Sequence, residues 1–133
     1  MNEDTSTTET QPSIPSNSIN IQKFSSMVGD MKLHVNITFL TNSCIIWIGS
    51  DQTPPLFQSL VVSMPTKYVS TPLSSSLIRN EDANEEYGAA MGQRIAKRFN
   101  IQCFVSCNTP PEHADKVHQI EPLIIQTIST HIK

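Results

Sequence analysis

Cys103, Cys107, His113 and His118 stand close together near the end of the chain. Cysteine and histidine are the residue types of a zinc site, but the spacing is wrong. A zinc finger places roughly twelve residues between its two ligand pairs. If residues 101–107 form a strand, the two sulfurs also lie roughly 13 Å apart, at about 3.3 Å per residue. One tetrahedral ion cannot hold both, so these thiols read as small core residues. Ser74, Ser75 and Ser76 offer hydroxyl nucleophiles. No G-x-S-x-G elbow surrounds them and no Asp–His pair is assigned to activate them. A hydroxyl-rich loop bonding its own backbone is the plainer reading. Gly29, Gly49, Gly88 and Gly92 are scattered and form no phosphate-binding loop. Glu81, Asp82, Glu85 and Glu86 crowd what reads as a helix start, where carboxylates suit the helix dipole. The remaining group is Arg94, Lys97 and Arg98, a basic patch near a helix end and the candidate contact to an acidic partner surface. The expected catalytic, cofactor-binding and metal-ligating sets are therefore empty. That favours a binding module over an enzyme.

The elements that must position these residues follow from periodicity. Ile19, Ile21 and Phe24 suggest a short extended entry. Met31, Leu33, Val35, Ile37 and Phe39 then alternate with Lys32, His34, Asn36 and Thr38, which places the two sets on opposite faces of a strand. Thr41-Asn42-Ser43 is a turn, and Asn42 tolerates the left-handed conformation. Cys44 to Ile48 is apolar at every position and reads as a central strand paired with its predecessor in a hairpin. Residues 49–55 read as a loop and 56–64 as a strand that Pro65 ends. Residues 67–78 are extended and hydroxyl-rich.

Tyr87, Met91, Ile95 and Phe99 recur every four residues and predict a helix over about 83–99, with Asn100 as its stop. Residues 101–107 alternate as a further strand. Thr109-Pro110-Pro111-Glu112 has capping-box spacing, and a second helix is expected over about 110–132, kinked at Pro122. The candidate core is Trp47, Tyr87, Met91, Ile95, Phe99 and Val105. The fold class expected is α+β: a mainly antiparallel sheet or sandwich of about five to six strands with two helices.

Composition bounds the function. The chain has 133 residues, 38% of them hydrophobic. Only Met1 and Ile14 of these lie within residues 1–18, which are expected to be a disordered tail. Residues 19–133 are expected to form one domain, with an ordinary globular share of apolar residues and glycine, about 45%. The longest apolar run, Cys44 to Ile48, is far short of the roughly 20 residues of a membrane helix. No apolar segment follows a basic start, so no signal peptide is expected. An odd cysteine count then suits a reducing compartment. A net charge of −3 argues against a general binder of nucleic acid or anionic lipid.

Three stretches carry a resemblance. The first is Ser43-x-x-x-Trp47-Ile48-Gly49, leading to Leu60-x-Val62-x-Met64. The second is Tyr68-x-Ser70-x-Pro72-x-Ser74-x-Ser76-Leu77. The third is Gln93-Arg94-x-Ala96-Lys97-Arg98-x-Asn100-x-Gln102-x-Phe104-Val105-Ser106-x-Asn108. In this order and within this length, residues 19–108 resemble the proteasome assembly chaperone 4 family. The last helix matches in type only, and residues 1–18, 50–56 and 79–90 depart from the family pattern. The resemblance implies a non-enzymatic chaperone that promotes assembly of the α-ring of the 20S proteasome core particle. It would work as a heterodimer with a sibling similar to proteasome assembly chaperone 3. It would hold α-type subunits transiently, the fifth included. The implied site is the cytoplasm, and also the nucleus, with no cofactor, nucleic acid or membrane involved. A small adaptor of the longin or roadblock type, on a trafficking or GTPase complex, would also combine a β-meander with helices. The second and third stretches favour the chaperone.

Overall fold

The computed structural model describes residues 19–51 and 56–132. The expected N-terminal tail, residues 1–18, lies outside them. Six strands and two helices follow one another: β1 (Asn20–Val28), β2 (Met31–Leu40), β3 (Ser43–Ser50), β4 (Leu60–Met64), β5 (Leu73–Ile78), α1 (Glu85–Phe99), β6 (Gln102–Cys107) and α2 (Ala114–His131). The strands form one sheet in the order β1-β2-β3-β6-β4-β5. Of the sheet and sandwich readings, a single sheet is the observed one.

β1, β2 and β3 make a meander of tight turns. Gly29 (φ 65°) and Asn42 (φ 59°) take the left-handed backbone those turns require. β4 and β5 form a second antiparallel pair. The chain then crosses through α1 and inserts β6 between the two hairpins, antiparallel to β4 and parallel to β3. The parallel pair is the departure from the sequential-hairpin expectation. Once a helix intervenes, the next strand can arrive in the same direction as an earlier one.

Both helices cover one face of the sheet. α1 lies over β4, β5 and β6, and α2 packs against β1. Leu33, Val35, Ile37, Ile46, Ile48, Cys103 and Val105 point up into the helices. They meet Met91 and Ile95 from α1 and Ile120, Ile124 and Ile128 from α2, all essentially solvent-free. Of the remaining candidate core residues, Tyr87 and Phe99 are half-buried against this cluster. α1 seats closely because Gly92 faces the sheet, where a Cβ would come within 2.8 Å of Ser63 Oγ. α1 stops at Asn100 (φ 55°), whose N–H bonds to the Ala96 carbonyl, as the sequence predicts.

The entry to α2 differs from expectation. Pro110 is extended (φ −60°, ψ 150°), because a residue before proline avoids helical backbone. A single 3-10 turn, Pro111–His113, comes next, and α2 begins at Ala114. No side chain caps either helix start, so the capping box is absent. α2 runs unbroken through Pro122. Among the described residues no helix is long and apolar enough to cross a membrane.

Candidate interaction surface

The basic patch divides when its side chains are placed. Arg94, still partly open to water, reaches across to Glu121 of α2 with two parallel hydrogen bonds, Nε to Oε2 at 2.8 Å and Nη2 to Oε1 at 2.7 Å. Tyr87 donates its hydroxyl to the same Oε1 at 2.5 Å, with His118 Nδ1 3.1 Å away. The Arg94 guanidinium also lies 5.6 Å from the centre of the Tyr87 ring. Glu121 is only 5% exposed. Burial opposes its ionisation, but Arg94 and Tyr87 outweigh that and hold the carboxyl below its usual range. Burial, and then donation to Glu121, pushes the Tyr87 phenol up. Arg94 is thus a clasp between α1 and α2, not the free contact residue the sequence suggested. Periodicity along α1 missed this because the partner, Glu121, is 27 residues away and sits on an otherwise apolar stripe. Lys97 and Arg98 remain exposed in the last turn of α1.

The residues grouped above as candidate ligands or nucleophiles separate. Cys103 Sγ lies 3.8 Å from Cys44 Sγ on the neighbouring strand. Cys107 sits by Thr109, its thiol pushed up to about 11 chiefly by burial. Among the described residues no group of three or more His, Cys, Asp or Glu side chains converges on a metal position. Ser74 shares a 2.9 Å hydrogen bond with Ser63, and Ser76 donates to Glu85. A polar row that sequence reading did not find runs across β1, β2 and the end of β3. Ser25 Oγ is 2.8 Å from His34 Nδ1, and His34 Nε2 meets Asp51. The row is exposed on the sheet, and none of its three residues lines the depression beside Arg79 and Glu85 or the one beside Asn42 and Lys67.

The surface that stands out is the sheet face turned away from the helices. On β3, β6, β4 and β5 it presents Ile45, Trp47, Phe104, Met64 and Leu73 around the buried Val62. The other outward positions on these four strands are Ser, Gly, Gln, Leu and Ile, so no ionisable side chain interrupts it. Met64 is 39% exposed, Leu73 56% and Ile78 39%. Trp47 belongs to this face and is half-buried, not a core residue as its strand position suggested. Its ring lies along β3 over Gly49, where a Cβ would fall 2.3 Å from Cη2. The indole N–H donates to the Leu56 carbonyl at 2.9 Å. A strand apolar at every position must put half its side chains on the second face. Ile45 and Trp47 are that half of β3.

A model of the family described as proteasome assembly chaperone 4 matches residues 32–109, more than half of the chain. The chain belongs to the proteasome assembly chaperone 4 family. Human proteasome assembly chaperone 4 is 33% identical over 90 residues, covering 68% of this chain and 69% of the human protein. The mouse protein is 30% identical over the same length. A solved structure titled as a novel chaperone complex for yeast 20S proteasome assembly shares the fold, with a TM-score of 0.57 and 16% identity. It covers 83% of this chain and 93% of the other.

The family stretch runs from β2 to just past β6 and leaves out β1 and the whole of α2. Several of its polar residues fasten loops. Gln93 Nε2 donates to the Pro72 carbonyl at 3.1 Å. Asn108 accepts from the Gln58 N–H at 2.7 Å and donates to the Ile48 carbonyl at 3.2 Å. These ties hold the segments that border the outer sheet face.

Proposed function

We propose that this chain promotes assembly of the α-ring of the 20S proteasome core particle, and that it does so by docking alone, without catalysis. It pairs with a sibling chaperone similar to proteasome assembly chaperone 3 and holds α-type subunits, the fifth included, until later subunits displace it. It works in the cytoplasm and the nucleus.

The observation that carries this reading, beside family membership, is the apolar outer face of β3, β6, β4 and β5, which carries no ionisable side chain. One helical layer satisfies only one side of a sheet, and contiguous exposed apolar patches of this kind mark interaction sites. The complementary object is another open sheet with an apolar face. Two sheets stack face to face about 10 Å apart with interdigitating side chains. A sibling of the same fold supplies that surface and completes a sandwich across the interface. Hydrophobic pairing of this sort is persistent, whereas the grip on α-type subunits must remain displaceable.

The test replaces Phe104 and Leu73 by aspartate in the tagged full-length chain. Wild type should bring down a sibling chaperone and free α-type subunits. The double variant should stay folded by circular dichroism and lose the sibling, because two buried unpaired carboxylates oppose docking strongly. Undiminished pairing by the folded variant would move the interface elsewhere. Partners unrelated to the proteasome would refute the function itself.

A further inference from the structure

Acidic side chains gather at one end of the sheet, where Lys32, Arg79 and Lys116 also lie, and are absent from the other. Both helices start at the end where β3 and β6 finish; the Asn84 N–H there bonds to the Cys107 carbonyl. Asp30, Asp51, Glu81, Glu86, Glu112 and Asp115 all lie in turns or first helical turns at this end. The opposite end consists of the β2–β3 turn, the segment after β4 and the exit from α1. It carries Lys67, Lys97 and Arg98, all exposed, and no Asp or Glu among the described residues. Helix-dipole compensation accounts for Lys97 and Arg98 in the last turn of α1. It does not account for Lys67, which is on no helix, or for the absence of acids across three separate chain segments.

These segments enclose a shallow depression of about 740 Å³ lined by Asn42, Met64, Thr66, Lys67, Asn100 and Gln102 among others. Its base is tied together, since the Gln102 N–H bonds to the Asn42 carbonyl at 3.1 Å. Asn42 and Asn100 both hold the left-handed backbone that ends their elements, which turns the chain sharply at the rim. The lining mixes side-chain amides, one ammonium group and the apolar Met64, Pro65 and Ile101.

We infer that this end of the molecule is a docking surface for an acidic segment of a protein partner. The amides match peptide groups, the apolar lining matches side-chain stems, and Lys67, Lys97 and Arg98 match carboxylates. A nucleic acid fits less well. Three cations are few beside the six to ten or so phosphate contacts of such interfaces, and the acidic opposite end repels a polyanion. The surface lies at one end of the sheet and shares only Met64 with the outer face, so a sibling on the rest of that face and an acidic partner can be held together. Assigning the acidic partner to an α-type subunit rests on the function proposed above; the acidic-segment site does not.

The experiment measures binding of a fluorescein-labelled Glu-rich peptide to the full-length chain at physiological salt. Three variants are compared with wild type. Lys67→Glu/Lys97→Glu/Arg98→Glu should bind on the order of tenfold more weakly and lose its salt dependence. Glu81→Lys/Asp82→Lys/Glu86→Lys, which makes the same total charge change with opposite sign, should bind within about twofold of wild type. No binding by wild type, equal binding by the basic-end variant, or a gain from the acidic-end variant that matches the basic-end loss would overturn the site. So would tighter binding to phosphatidylserine vesicles or a single-stranded oligonucleotide than to the peptide. Glu3→Gln/Asp4→Asn/Glu9→Gln should leave affinity unchanged. A large gain would assign the surface to the chain's own acidic N-terminal segment and overturn the partner assignment. In cells, the basic-end variant should keep the sibling chaperone and lose α-type subunits. Peptide binding at this end without any proteasome subunit in the wild-type pull-down would sink the proposed function and leave the site standing.

Discussion

The Arg94–Glu121 pair clasps α1 to α2. Its two members are unequally exposed, which makes the two deletions unequal. Arg94→Ala strands a buried carboxylate, while Glu121→Gln leaves an arginine that can still reach water. Removing one partner of a fully buried pair costs about 3–5 kcal/mol, and solvent around Arg94 reduces that here to roughly 2. Arg94→Ala should therefore lower the melting temperature clearly more than Glu121→Gln, measured by calorimetry. The pH dependence has a definite sign. The Glu121 carboxyl is held below its unfolded value, so its contribution is complete above the unfolded pKa and is lost as pH falls through the folded one. The stability advantage of wild type over Glu121→Gln should shrink on acidification. An advantage that grows instead would refute the pairing. Arg94 could be recognised in the sequence as charged and near a helix end, but its role could not. Nothing local marks Glu121 as its partner, and a lone acid in the stripe Val117–Ile120–Ile124–Ile128 reads as a solvated interruption.

At the level of elements, α2 carries an exposed proline in its middle and remains helical. Pro122 has no N–H to offer the His118 carbonyl, and its ring crowds that turn. The apolar faces at Val117, Ile120, Ile124 and Ile128 are buried on either side of it, and their packing offsets the local cost. Pro122→Ala restores the missing bond on the solvent side without touching the core. It should stabilise the protein by about 1–3 kcal/mol and slow amide exchange in the turn around His118, read by denaturant titration and hydrogen exchange. A loss of stability would mean that the proline itself helps α2 fit the sheet. Strand positions β2, β3 and β6 and helix α1 could be read directly from apolar spacing, because each buries one regular face. β5 was less legible. It is an edge strand of serines and exposed leucines, and hydroxyl-rich extended chain looks alike whether paired or not.

For the whole molecule, the single tryptophan is placed to report on assembly. Trp47 is the only one in the chain and stands half-buried in the apolar outer face. Docking of a sibling on that face should shift its emission to shorter wavelength, and an acidic peptide at the basic end should leave it unchanged. An unshifted spectrum on sibling binding would place that interface elsewhere. The α+β class, the alternating strands, the stops at Asn42 and Asn100 and the family likeness were all written in the sequence. These depend on neighbours within a few residues, or on the order of short motifs. Which face of β3 lies under the helices, that β6 inserts between two hairpins, that Arg94 is occupied while Lys67 joins Lys97 and Arg98, and that the acids gather at one end were settled only by tertiary structure. Each depends on residues that the chain separates widely and only packing brings together.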